Sequence, residues 1–215
     1  MKPTYGLALI LMASLHTYAQ QPSTPGMATF HNPELRLDYT YPWAYSDEHN
    51  EQERKRRGEP AEEPSNNPCL QYPIAGMDMD IDFRILALKI IHPECIHRTL
   101  KPADLRNPAT NTLVDALSSL GKPVIGETLE YTMSGAPAFA IQGQVSIKNA
   151  KPKNHPIYVI ATCAIITEHL ACWTFEADSK TALTTMTSYP IILGDHTPEA
   201  VVPSSFIKPD AAAKL

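Results

Sequence analysis

The chain lacks the features that would mark a nucleotide-binding or nucleic-acid-binding protein. It has no glycine-rich phosphate loop and no dinucleotide fingerprint. Glycine is scarce, at 9 of 215 residues, so there is little from which to build one. There is no basic stripe of the kind nucleic-acid binding needs and the net charge is −5, so no nucleic-acid partner is expected. The G-x-S-x-G elbow of a serine hydrolase is missing. Ser134 precedes Gly135, but in a segment whose chemistry is that of a turn. His155, His169 and His196 fall in expected loops or turns, and no Ser–His–acid set can be assembled from spacing. After residue 15 no apolar run approaches the ~20 residues needed to cross a bilayer, so no stable transmembrane anchor is expected.

What is present begins with an export signal. Met1 and Lys2 give a positive start, residues 5–15 are uninterruptedly apolar, and Thr17-Tyr18-Ala19 places small residues where a signal peptidase reads. The expectation is a signal peptide over 1–19, cleaved after Ala19, and a secreted or periplasmic mature chain. No cysteine stands at the cleavage site, which disfavours a lipid anchor. About 195 residues then remain, the size of one domain.

The four cysteines, Cys69, Cys95, Cys163 and Cys172, all lie beyond the signal. An even count in an exported chain reads as disulfides. Residues 158–166 and 170–175 look like two strands joined by a tight turn at Thr167-Glu168. Counting back from that turn puts Cys163 opposite Cys172 at a non-hydrogen-bonded pair, where side chains approach closest. Cys69 and Cys95 are then paired by elimination. Chain-entropy arithmetic assigns the two bridges about 2.7 and about 3.6 kcal/mol, in that order. The alternative is four free thiols or a metal site.

Residues 20–33 are polar and proline-bearing and read as a flexible lead-in to a domain spanning 34–208. In 34–43, Leu35, Leu37, Tyr39 and Tyr41 alternate with Arg36, Asp38 and Thr40, the pattern of a half-buried strand ended by Pro42. A charged insertion follows over 46–68. Within it Ser46 can cap a solvated helix with acidic residues first, basic residues last and Gly58 as its stop. Residues 77–83 alternate strictly, and 85–91 continue as a β-rich apolar run. Asn107-Pro108 should open a helix with a buried stripe of Leu113, Ala116, Leu117 and Leu120, closed by Gly121. Strands are expected over 124–133 and 139–147, then the cysteine hairpin, then a helix over 180–188 capped by Asp178 or Ser179. The tail from 197 reads as irregular and 209–215 as disordered. Sequential strands with short links pair antiparallel, so the fold class is α+β, a meandering antiparallel β-sheet flanked by helices.

This order resembles the Mog1/PsbP-like family. The matching pieces are the opening Leu35-Arg36-Leu37-Asp38-Tyr39-Thr40-Tyr41-Pro42-Trp43, the helix ending Leu117-Ser118-Ser119-Leu120-Gly121, the small-residue turn Ser134-Gly135-Ala136-Pro137-Ala138, and Trp173-Thr174-Phe175 before a helix. The charged insertion and the four cysteines depart from the family's pattern. The resemblance implies a flanked meandering sheet and a bias toward binding. Members of the family bind small GTPases or assist photosystem assembly, many are exported bacterial proteins of unknown role, and they share no catalytic residues to carry over. Fold alone does not give function.

Candidate chemistry is sparse. Asp78, Asp80 and Asp82 invite a calcium reading, but an EF-hand needs Gly and Glu where this chain has Phe83 and Lys89. His92, Cys95 and His97 lie close together, yet a zinc site usually needs four ligands and Cys95 is better used in a disulfide. His92 and His97 are therefore noted as metal candidates without a metal site being assigned. Trp43, Tyr72 and Trp173 are candidate ligand-binding aromatics. No cofactor is called for. The reading is an exported, non-catalytic domain that binds a partner protein or small ligand in the cell envelope. A secreted hydrolytic or metal-dependent enzyme whose site is spatial rather than sequential is the alternative.

Overall fold

The computed structural model describes residues 26–60, 67–78, 83–118, 120–147 and 155–208. The expected signal peptide, Asp80, Asp82 and the tail from 209 lie outside them. In chain order the elements are β1 (Met27–Asn32), β2 (Leu37–Pro42), α1 (Asp47–Arg57), β3 (Leu70–Asp78), β4 (Arg84–Ile91), α2 (Pro93–Ile96), α3 (Arg106–Ser118), β5 (Val124–Met133), β6 (Ala136–Ile147), β7 (His155–Ile166), β8 (His169–Ala177), α4 (Lys180–Thr187), β9 (Pro190–Leu193) and β10 (Glu199–Ala200).

Two antiparallel sheets are formed. The larger has the order β3-β4-β8-β7-β6-β5, so the meander from β5 to β8 is extended by the earlier β3–β4 hairpin docked on β8. Its central turns are tight because both loop residues enter the left-handed region: Ser134 (φ 44) and Gly135 (φ 79) between β5 and β6, Thr167 (φ 47) and Glu168 (φ 66) between β7 and β8. Such turns match the right-handed twist of the flanking strands. The β7–β8 turn fixes the register, setting Ile166 against His169 and Cys163 against Cys172.

The smaller sheet has the order β1-β2-β9-β10. It corrects two sequence readings. The lead-in over 20–33 is not loose throughout, since Met27–Asn32 pairs along the whole of β2. Nor is the tail from 197 irregular throughout. Glu199 and Ala200 pair with β9, and Val201, Val202, Phe206 and Ile207 are buried behind them. The physical reason is the same in both cases: β2 buries Leu37, Tyr39 and Tyr41, and that apolar face needs neighbours.

One core lies between the sheets. Tyr39 and Leu37 from the smaller sheet meet Trp173, Phe175, Leu86 and Leu88 from the larger, with Leu183 and Met186 of α4 filling the side. The Tyr131 hydroxyl donates to the Val201 carbonyl at 2.7 Å and holds the C-terminal segment against this core. A second core lies on the opposite face of the larger sheet, where Leu105, Ala109, Leu113 and Leu117 cover Phe139, Ile141, Val159 and the Cys163–Cys172 disulfide. Helix α3 starts one residue before Asn107, because the 3-10 turn Pro102–Leu105 runs straight into it. Asp104 closes that turn by accepting from the Lys101 backbone N–H at 2.8 Å.

In the charged insertion, Ser46 caps α1 by accepting from the His49 N–H at 3.2 Å, and Gly58 ends it in the left-handed conformation. The helix buries no residue completely. It is tethered by an Asn50 amide donating to the Ala75 carbonyl and by Trp43 packed edge-on against His49.

Candidate functional site

The helix that covers the larger sheet covers only part of it. Packed on β6, β7 and β8, α3 leaves the outer faces of β4 and β3 open beside it. Between the helix and those strands runs a cleft of about 230 Å³, lined by Tyr72 of β3, Lys89 of β4, Thr112 and Asp115 of α3, and Thr174 and Glu176 of β8.

Two polar side chains in this cleft are nearly buried, and one of them has a buried atom without a partner. Glu176 is 7% exposed, and its only resolved perturbation is burial, which pushes its carboxyl up to about 7. Thr112 is 7% exposed and its Oγ1 makes no hydrogen bond among the described residues. An orphaned polar atom such as Thr112 Oγ1 costs free energy and calls for an account. A carboxyl that changes charge near neutrality in a concave site is a common mark of a binding site. Tyr72 closes the rim with a half-exposed ring, at 49%.

A second cleft, of about 250 Å³, lies by the β5 edge and is lined by Val124, Gly126, Gln142, Tyr158 and Lys180. Val124 and Ile125 beside it are among the most exposed large apolar residues. Lys180 stands 5.5 Å from the Tyr158 ring centroid, so its charge is already engaged.

The residues singled out in the sequence are dispersed. Tyr72 lines the first cleft. Trp173 does not face a ligand: it is completely buried between the sheets, edge-on to Tyr39 with centroids 6.1 Å apart. Trp43 packs on His49. The described part of the acidic triplet is Asp78, which lies beside Tyr45 and Tyr189 along with Arg84. His97 is exposed at the end of α2. His92 lies instead beside His169 and Glu34, with ligand atoms of all three within 4.8 Å of one another. The cysteines form two bridges, Cys69–Cys95 and Cys163–Cys172.

Sequence reading passed over Glu176, Thr112, Glu34 and His169 as site residues. A signal existed for the first. Glu176 is the one carboxylate in the largely apolar strand 169–177, on the same face as Cys172 and Thr174. No such signal marks Glu34 with His169, since only the folded turns bring them together.

No family profile matches the chain, and no curated protein matches it. Among solved structures it is similar to the solution structure of cyanobacterial PsbP from Synechocystis, at 10% identity over 80% of this chain and 95% of that one, with a TM-score of 0.49. It is similar also to the Ran-binding protein Mog1p of Saccharomyces cerevisiae, at 11% identity over 72% and 78% of the two chains, with a TM-score of 0.41. A Pseudomonas aeruginosa protein of unknown function matches at 9% identity over 70% and 82%, with a TM-score of 0.32. The first two bear the names joined in the family that the sequence resembles. No residue role passes from these structures to this chain.

Proposed function

We propose that this chain is an exported, non-catalytic domain that binds a small polar ligand, or a side chain of a partner protein, in the cell envelope. The observation that carries the reading is the convergence of Glu176 and Thr112 in the cleft beside α3. Thr112 Oγ1 is a buried hydroxyl without a protein partner, and the Glu176 carboxyl lining the same cleft is pushed toward neutrality by burial; a ligand hydrogen-bonded there would satisfy the one and use the other.

The size of the cleft supports a small occupant. At about 230 Å³ it is below the usual range of drug-sized pockets, which starts near ~300 Å³, and it suits a single amine, amide or hydroxyl-bearing group. Catalysis is less well supported. The cleft offers the Glu176 and Asp115 carboxyls for proton transfer, but no serine or free thiol stands in it as nucleophile. Both disulfides are consistent with an oxidising compartment. Among the described residues no helix is long and apolar enough to cross a membrane.

The test is native mass spectrometry of the protein isolated from envelope or medium of the producing cells, beside a Thr174→Trp variant. Thr174 is only partly buried and lines the cleft, so an indole there fills it while the cores on either side of the sheet are untouched. A bound mass present on the wild-type chain and absent from the variant supports the reading. No bound species on either, or the same species on both, refutes it.

A further inference from the structure

Three turns meet at one end of the molecule. Glu34 sits in the link between β1 and β2. His92 follows β4 and caps α2, and its backbone N–H donates to the Cys69 carbonyl at 3.2 Å, next to the Cys69–Cys95 bridge. His169 opens β8 directly after the tight turn. The first belongs to the smaller sheet and the other two to the larger.

His169 is 4% exposed, and the state of its ring follows from its partners. Its Nδ1 lies 2.8 Å from the Thr167 carbonyl, which can only accept, so Nδ1 carries a hydrogen and donates it. In the neutral ring Nε2 then holds a lone pair. That atom is buried and makes no hydrogen bond, yet it lies 3.4 Å from a Glu34 carboxylate oxygen. A lone pair facing an anion at that distance is repulsive unless a cation stands between them. The His92 ring closes the third side, with centroids 5.3 Å apart and planes at 63°.

We infer that Glu34, His92 and His169 form a binding site for a divalent transition-metal ion of the zinc–copper class. Two imidazoles and a carboxylate are a donor set such ions take, with a fourth position left open. The spacing fits: ligand atoms about 2.0–2.1 Å from a tetrahedral ion are about 3.3 Å from each other, and Glu34 and His169 already stand 3.4 Å apart. An imidazole whose second nitrogen donates to a backbone carbonyl is the arrangement that orients a ligating histidine. Glu34 has 64% of its side chain exposed, so the open position faces solvent. Bound there, the ion ties the two sheets together at their turns.

The experiment is calorimetric titration of tag-free mature protein with Zn2+ alone and with Cu2+ alone, on the wild type and on Glu34→Gln, His92→Gln and His169→Gln. The wild type is expected to bind one equivalent, with affinity falling at least tenfold in each variant and a higher melting temperature when zinc is present. His169 is buried, so circular dichroism checks that its variant folds; Glu34 and His92 are on the rim, and their variants carry the test if it does not. A long-range nitrogen–proton spectrum should show the His169 Nε2 resonance shifting on zinc addition while Nδ1 keeps its hydrogen. Failure of the wild type to bind one equivalent overturns the inference. So does unchanged affinity in His92→Gln, or a His169 ring that is doubly protonated and indifferent to metal, which would make the bridging cation a proton.

Discussion

Gly76 and Tyr45 are in backbone contact: a methyl group built on Gly76 would lie 2.3 Å from the Tyr45 Cα. The 3-10 turn Trp43–Tyr45 therefore rests directly on β3, and through it the start of the charged insertion is fixed to the larger sheet. The obstructing atoms are main chain, so no side chain can swing away. Gly76→Ala should destabilise the fold by about 1–3 kcal/mol, the usual cost of overpacking. Gly58→Ala is the control. Nothing lies within 4 Å of its added methyl, and only the left-handed φ of 70 is penalised, by roughly 1 kcal/mol. Chemical denaturation of the two variants checks the order. Equal losses would mean that the turn does not bear on β3.

The two disulfides differ in burial, and reduction should separate them. Cys163 and Cys172 are at most 1% exposed beneath α3, with Cα atoms 4.1 Å apart, whereas Cys69 and Cys95 are only partly buried in a loop region. Access of the attacking thiolate governs exchange. Mild reductant followed by alkylation should label Cys69 and Cys95 first, leaving Cys163 and Cys172 protected until the protein unfolds. Simultaneous labelling of all four in native conditions would contradict this. Replacing Cys163 and Cys172 together by alanine should cost about 2–3 kcal/mol.

Glu176 predicts a pH dependence of stability. Burial raises its carboxyl to about 7, while in the unfolded chain it titrates near ~4.3. The folded state thus holds the proton more tightly. Its contribution is complete below the unfolded value and is lost as pH rises through about 7. The loss is bounded by roughly 4 kcal/mol. Urea unfolding from about pH 4 to pH 8 should show the wild type weakening relative to Glu176→Gln, which cannot ionise. Parallel curves would show that Glu176 is solvated in the native protein.

Much of the fold was legible because its signals are local. Leu35, Leu37, Tyr39 and Tyr41 alternate and are all buried. A two-residue turn leaves one register for the strands it joins, so Thr167 and Glu168 alone place Cys163 against Cys172. Ser46 and Gly58 bracket α1 for reasons contained in that helix. What could not be read rests on distant pairing. Residues 190–193 and 199–200 are too short to announce themselves as strands, and they become strands by pairing with β2 or with one another. Trp173 stood as a candidate ligand-binding aromatic because nothing in its own segment reveals that Tyr39 covers it. The cleft escaped notice for the same reason. Tyr72, Thr112 and Glu176 come from three separate elements, and only the position of α3 across the sheet brings them together.

A nitrogen–proton correlation spectrum of the mature protein, recorded while a small-molecule extract of the cell envelope is added, tests the central claim most directly. The account expects saturable shifts grouped at Tyr72, Lys89, Asp115 and Glu176, and their disappearance in Thr174→Trp. Shifts confined to the β5 edge around Val124 and Gly126, or no shifts at all, would contradict it.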